Sequence, residues 1–467
     1  MPADGAILTP SERRDMGRAL RKQVPRSSFA TWRPSTDRPD PVELLRDAAT
    51  SRLPELVPIR HGRMLSSSFA FYRGGAELMG ADLATVGVTG LVSQLCGDAH
   101  LSNFGAFAAP DRSLVFDCND FDETIAGPWE WDVMRLAASF EIAGRSLSIG
   151  KRERRDVVAT AVAEYRTTIA MLANERNLEV WYQRLVVDDL IERYGERLDA
   201  RARERVKRNR AKAASKDSLR ALAKLTERRD GALRIRSQPP LLVPVEELAG
   251  DRSVDEIRAS IEAMIAAYRQ TLSDAAGSLL DSYRYVDMAR KVVGVGSVGT
   301  RCWIVLLLGR DESDPLILQV KEAGPSALAP YLPRSRFRHQ GRRVVEGQRL
   351  MQAAGDILLG WLTAEGIDGQ RREFYVRQLW DGKASAQIEV MDAGLLSAYA
   401  KLCGATLARA HARGGDRIAI AGYLGSGATF DEAMTRFAAV YADQNERDYE
   451  AFAAAVADGR LEADLET

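Results

Sequence analysis

The segment Gly97-Asp98-Ala99-His100-Leu101-Ser102-Asn103-Phe104-Gly105 sets an acid and an amide five residues apart, in a stretch of turn formers. Asp117 follows fourteen residues after Asn103, directly behind the apolar run Leu114-Val115-Phe116, and Asp120 and Asp122 come next. An acid, an amide and a second acid at a strand end are what phosphoryl transfer asks for. One carboxylate orients or deprotonates the attacking hydroxyl. An amide oxygen and another carboxylate hold Mg²⁺ against nucleotide phosphates. The plainer reading is a loop rich in Asp and Asn because turns favour them. The strand ahead of Asp117 weighs for chemistry.

A second constellation lies two hundred residues on. Gly294-Val295-Gly296-Ser297-Val298-Gly299 is a full GxGxxG between two apparent strands. The dinucleotide version of this motif runs from strand into helix. Here Cys302-Trp303-Ile304-Val305 reads as strand, so the pattern is that of a hairpin covering phosphates, as in protein kinases. The next strand, Leu316 to Val320, ends at Lys321, placed to hold α- and β-phosphates. Glu346, in the following helix, is the expected partner that aims the lysine. Phe374 to Leu379 reads as a strand entering a hinge, where backbone groups near Gln378, Leu379 and Trp380 would read adenine. An ordinary hairpin with a surface Lys and Glu is the plainer alternative.

Gly97-Asp98-x-His100-x-x-Asn103, followed by an apolar strand ending in Asp, resembles the catalytic loop of aminoglycoside phosphotransferases and choline kinases. The resemblance implies Asp98 as catalytic base and Asn103 and Asp117 as Mg²⁺ ligands. Asp120 is a rival or additional ligand, because Asp120-Phe121 imitates the kinase metal-binding triplet. His100 is expected to pack the loop or face substrate. Gly127-Pro128-Trp129-Glu130-Trp131-Asp132 resembles the same families' next motif, whose Asp buttresses the catalytic loop. A plain helix-capping role competes for Asp132. The helix ending Leu407-Ala408-Arg409-Ala410-His411 resembles the one that leads into the catalytic loop in those enzymes.

The parts come in an unusual order, with the catalytic loop first and the glycine loop later. A circular permutation accounts for this, since termini at surface loops can move without changing the core. The helix near His411 is then expected beside Gly97. The expected fold class is α+β: a two-lobed, protein-kinase-like fold, circularly permuted. The whole chain, from about residue 10 to 452, also resembles a bacterial family known as domain of unknown function 2252. That resemblance rests on Arg63-Met64, Phe69 to Gly74, Gly97 to Gly105, Asn119 to Glu123, Gly127 to Asp132 and Tyr441 to Gln444. It implies a bacterial, intracellular, kinase-like protein.

The elements that must position these residues follow from periodicity. Val158, Val162, Tyr165, Ile169 and Leu172 form an amphipathic helical stripe. Further helices are expected from Pro41 to about Arg52, over 342–354 and from Leu395 to His411. A loop is expected at about 230–250, after the Pro239-Pro240 break. The basic stretch 201–229 reads as a solvated helical face, or as a patch attracting a phosphorylated or acidic partner. Four units are expected: an arm and helix (1–60), a catalytic helical lobe with an insert (61–285), a β-rich nucleotide lobe (286–385) and C-terminal helices packing on the catalytic lobe (386–467). Arg73 is placed to pair with a phosphate or to form a buried salt bridge. Tyr441, Asp443 and Gln444 read as structural.

Composition sets the limits. The 467 residues carry 65 basic and 65 acidic side chains, with 46% apolar residues, which excludes a mainly disordered chain. Zero net charge argues against a general nucleic-acid binder. The longest clean apolar run, Cys302 to Leu308, is seven residues, against about twenty for a membrane span. Four scattered cysteines and four isolated histidines give neither a disulfide framework nor a zinc pattern. A cytoplasmic protein with no signal peptide is expected. The expected function is transfer of the ATP γ-phosphate to a hydroxyl of an unidentified acceptor, with ATP and Mg²⁺ bound. Two alternatives are a nucleotide-binding pseudokinase and a transferase of AMP. A dinucleotide oxidoreductase is disfavoured by the strand after the glycine loop.

Overall fold

The computed structural model describes residues 8–194, 218–250, 252–292, 294–379 and 384–466. Helix starts are set locally. Thr9 and Glu12 form a capping box, and Pro10 takes the first position of α1 (Pro10–Ala19), where no backbone N–H is needed. Asp40 caps α2 (Pro41–Ala49) by accepting from Val42 and Glu43, and the helix stops three residues short of the expected Arg52. Helices α3 (Val57–Leu65), α4 (Ser68–Gly74) and α5 (Ala76–Leu83) follow.

Gly, Asp and Asn then break the chain into β1 (Val92–Leu95), β2 (Phe104–Ala108), β3 (Leu114–Cys118) and β4 (Ile125–Pro128). β1 pairs with β4 and β2 with β3, both antiparallel. Next come α6 (Trp129–Ser146) and α7 (Lys151–Leu172). All five residues of the expected stripe on α7 are buried.

The segment 173–280 holds α8 (Asn177–Tyr182), β5 (Leu185–Val186), α9 (Val187–Tyr194), α10 (Ser218–Leu225), β6 (Thr226–Arg229), β7 (Ala232–Ile235), β8 (Leu242–Pro244), α11 (Val245–Leu248), α12 (Val254–Arg269) and α13 (Asp274–Leu280). The loop expected at about 230–250 is therefore mostly regular structure. Asp230 and Gly231, at φ +51° and +77°, form the two-residue turn of the β6–β7 hairpin, a pairing Asp-Gly favours. Of the basic stretch, 201–217 lies outside the described residues, and the rest forms α10 and β6.

A six-stranded antiparallel sheet follows, built from β9 (Arg284–Lys291), β10 (Cys302–Leu308), β11 (Pro315–Glu322), β12 (Gly360–Glu365) and β13 (Arg371–Gln378), with β8 on one edge. The order is β12-β13-β11-β10-β9-β8, and α14 (Gln340–Met351) lies between β11 and β12 in the chain. Apolar clusters cover both faces, α12 on one and α10 on the other. That explains why β10 is apolar at every position rather than alternating. β14 (Ala384–Ser385) joins the free edge of β2.

The chain ends in α15 (Ala393–Gly414), α16 (Arg417–Leu424) and α17 (Thr429–Ala457), which pack with α6 and α7 around the largest apolar cluster. Gly404 lets α15 touch α7, since a Cβ there would lie 2.2 Å from the Ala161 carbonyl oxygen. Tyr441 and Gln444 join a buried network in which Arg38 bridges Asp82 and Asp448. No helix among the described residues is long and apolar enough to cross a membrane.

Glu130, in the first turn of α6, is buried and accepts from Thr89 N–H (2.9 Å) and Oγ1 (2.5 Å), while its Oε2 has no partner. Burial pushes its carboxyl up to about 7. The folded state thus binds this proton more tightly than the unfolded chain. Its contribution is complete below about pH 4.5 and is lost as pH rises through about 7. Glu130→Gln is expected to be more stable than the parent at pH 8 by about 3 kcal/mol, with the difference vanishing below about pH 4.5, in urea unfolding.

Candidate functional site

The loop after β1 is held from behind. Gly97 takes φ +88°, and a Cβ there would lie 2.1 Å from the Glu123 carbonyl oxygen, so the position demands glycine. Asp132 accepts from the N–H groups of Cys96 (2.7 Å) and Gly97 (3.0 Å) and contacts His411 Nε2 at 3.2 Å. It buttresses the loop instead of capping its own helix. The shared Asp132 brings α15 beside Gly97, and His411 reaches Tyr165 of α7 through Nδ1 at 2.9 Å.

On this frame Asp98 meets Arg135, one turn further along α6, whose Nε (2.8 Å) and Nη2 (2.7 Å) both contact Oδ1. Asn103 donates its Nδ2 to the Asp98 carbonyl oxygen at 2.7 Å. With that nitrogen used, the amide oxygen is the atom left for a cation. His100 is buried with Nε2 3.5 Å from Asp98 Oδ2. Burial, then the charges of Arg73 and Arg135, hold it well below the usual imidazole range, so it is neutral.

The three acids at the end of β3 and just beyond it have different fates. Asp117 does not reach the cleft. It is ion-paired with Arg409 of α15 and accepts from Cys118 N–H at 2.8 Å. Burial pushes its carboxyl up, against the pull of Arg409. Asp120 lines the cleft with Asp98 and Asn103. Asp122 is bonded by Lys321 Nζ and by Tyr375 Oη at 2.6 Å. Burial alone would raise the Asp122 carboxyl, but the Lys321 charge and hydrogen bond, joined by the Tyr375 hydrogen bond and the Arg377 charge, together hold it below the usual range.

Gly294, Gly296, Ser297 and Lys321 line the opposite wall of the same cleft, whose volume is about 490 Å³. Residues Val295–Ser297 form a short 3₁₀ turn, and Ser297 Oγ lies 3.5 Å from Asp122 Oδ2. Gly299, at φ +89°, packs on Arg52 instead of facing the cleft. Glu346 does not meet Lys321. It pairs with Arg349 at 3.1 Å on its own helix, and Asp122 takes the place beside the lysine. The residues of α14 that line the cleft are Gln348, with Gln352 just past its end.

At the expected hinge, Gln378 and Leu379 line the cleft, but their N–H groups are already used, by Asp356 Oδ2 (2.5 Å) and the Ile317 carbonyl (2.9 Å). Trp380 lies outside the described residues. Sequence reasoning missed Gln319 and Arg377, which face each other in the β11–β13 register and join at 3.0 Å. The signal was present: Gln319 and Lys321 alternate with apolar residues in β11, so both point to one face. Arg73, expected in a salt bridge or on phosphate, makes no ion pair among the described residues and lines the cleft.

Residues 52–455 match the model of a family described as "Uncharacterized protein conserved in bacteria (DUF2252)". The chain belongs to this family. Comparisons with curated proteins and with solved structures gave no significant match. The DUF2252 match spans both walls of the cleft, from Arg73 to Leu379.

Arg409 and Asp117 are both buried, so removing one partner leaves an uncompensated charge. Arg409→Met is expected to cost about 3–5 kcal/mol in denaturant unfolding, and Arg409→Met combined with Asp117→Leu to recover most of it.

Proposed function

We propose that this chain is an ATP- and Mg²⁺-dependent phosphotransferase on a circularly permuted, kinase-like fold. The observation that carries the reading is convergence. Asp98, Asn103 and Asp120 share one cleft with Gly294, Gly296, Ser297 and Lys321, two hundred residues away in sequence. The order of the sheet supports it too. Setting aside the short edge strand β8, a glycine-rich turn joins the first two strands, β9 and β10, the lysine lies on the third, β11, and a helix precedes the last two. Protein kinases carry their lysine on the third strand of such a lobe.

Among the described residues no three His, Cys, Asp or Glu side chains gather as a ready-made metal cluster. Mg²⁺ does not need one. It takes one or two protein oxygens and fills its octahedron with phosphate and water. Asn103 Oδ1 and Asp120 would hold it, and the ion would supply charge neutralisation at the phosphate oxygens. Asp98, fixed by Arg135, would orient the acceptor hydroxyl and take its proton as the new O–P bond forms and the bond to ADP breaks. Lys321 would hold phosphate oxygens, with Asp122 aiming it. Mostly this is positioning and electrostatics, which suits a site built of fixed charges.

The test uses water as the acceptor. ATP hydrolysis in Mg²⁺ is measured for the parent, Asp98→Ala, Asp120→Asn and Asp117→Asn. Losses of about 100-fold or more are expected for the first two variants. Asp117→Asn is expected to keep turnover in whatever fraction stays folded. Undiminished turnover in both Asp98→Ala and Asp120→Asn would contradict the reading. Release of pyrophosphate instead of phosphate would replace phosphoryl transfer by AMP transfer.

A further inference from the structure

Behind the glycine loop a smaller cavity, about 40 Å³, adjoins the main cleft and shares Arg73, Asp98, Asp120, Gly296 and Ser297 with it. Three arginines from different segments reach it: Arg52 after α2, Arg60 on α3 and Arg73 on α4. Arg60 Nη2 donates to the Gly74 carbonyl at 2.5 Å, and Arg52 Nη1 to the carbonyls of Gly296 (3.0 Å) and Val298 (2.6 Å). The Nε of all three, and Arg60 Nη1, are buried with no partner.

Arg60 is wholly buried and makes no ion pair among the described residues. Burial, then the charge of Arg52, pulls its guanidinium down to about 9, with Glu77 acting the other way. It stays charged at neutral pH. Glu77 does not satisfy it, because Glu77 Oε2 is also buried without a donor. A buried cation with unused donors is costly unless something negative completes it. Five acids, Glu77, Asp98, Asp120, Asp122 and Glu123, line the same cavity, and two of them are paired with other cations. Asp98 is matched by Arg135 and Asp122 by Lys321. Burial pushes Glu123 up to about 7, so near neutral pH it is partly protonated and repels an anion less.

We propose that Arg52, Arg60 and Arg73 form an anion subsite that takes one phosphate group beside the glycine loop. The size agrees. One water needs about 10–15 Å³ of such space, so the cavity admits about three or four heavy atoms: a terminal phosphoryl group fits, inorganic phosphate fits with one oxygen in the adjoining cleft, and a nucleoside does not. Guanidinium groups match tetrahedral oxyanions through paired N–H donors. Two molecules could supply that phosphate: the tail of a bound nucleotide, or a second, phosphorylated molecule such as the acceptor. Naming the nucleotide tail rests on the phosphotransferase reading, whereas the anion subsite does not.

The test is calorimetric titration of the nucleotide-free full chain with inorganic phosphate and then pyrophosphate. Binding at one site is expected. It should weaken about tenfold or more in Arg60→Met and in Arg73→Gln, and stay within about threefold in Arg228→Ala, an exposed arginine outside both cavities. Arg73 is only partly enclosed, so Arg73→Gln serves where Arg60→Met does not fold. No binding of either anion by the parent protein overturns the subsite. So does unchanged binding in Arg73→Gln. The source is read from competition. If ATP displaces phosphate and Arg73→Gln weakens ATP but not AMP, the nucleotide tail fills the subsite. If ATP and phosphate bind together, a second molecule does. Phosphate binding without any ATP binding would keep the subsite and remove the phosphotransferase reading.

Discussion

Lys321 is a buried charge, Asp122 is its half-buried partner, and the lysine is not tolerable alone. An unpaired ammonium inside a protein costs several kcal/mol, so the lysine of β11 fixes where the loop after β3 must lie. Tyr375, from the neighbouring strand, holds the other carboxylate oxygen. Asp120 is carried two residues before this anchor and arrives in the cleft by consequence. The carbonyl of Glu123, one residue after it, abuts Gly97, so the 97–105 loop is set against the same anchor. One ion pair thus ties residues near 98, 120 and 321 into one unit.

The other acids of the region are settled in the same way, each against a basic side chain far away in the chain. Asp98 faces Arg135, and Asp117 faces Arg409. Asp132 instead takes two backbone N–H groups and His411. Such pairings cost desolvation and return little net stability, but they fix orientation. The proposed chemistry, positioning of phosphate and hydroxyl, would make use of that rigidity. The arginines behind the glycine loop are the exception, with donors left over, which is why a ligand is the natural complement there.

Much of the site was legible in sequence because its parts are local. The acid–amide loop, the glycine turn and the strand ending in lysine each declare themselves within ten residues. Helix α14, expected over 342–354, runs Gln340–Met351, and the helix expected from Leu395 to His411 runs Ala393–Gly414. What failed was pairing at long range. Nothing near Asp117 announces Arg409, 292 residues on, so a buried structural acid looked like a metal ligand. Nothing near Lys321 says that its partner is Asp122 and not Glu346, since a helical Glu with Arg three residues later is satisfied on its own helix. The loop expected at 230–250 was misjudged for a local reason: the Pro-Pro break outweighed the Asp-Gly turn eight residues earlier.

The most direct measurement is calorimetric titration of the full chain with ATP, with and without Mg²⁺, against Lys321→Ala. The account predicts one ATP per chain, bound more tightly when Mg²⁺ is present, and weakened about tenfold or more in the variant. Absence of ATP binding in Mg²⁺, or equal affinity in parent and variant, would contradict the claim that the two constellations form one nucleotide site.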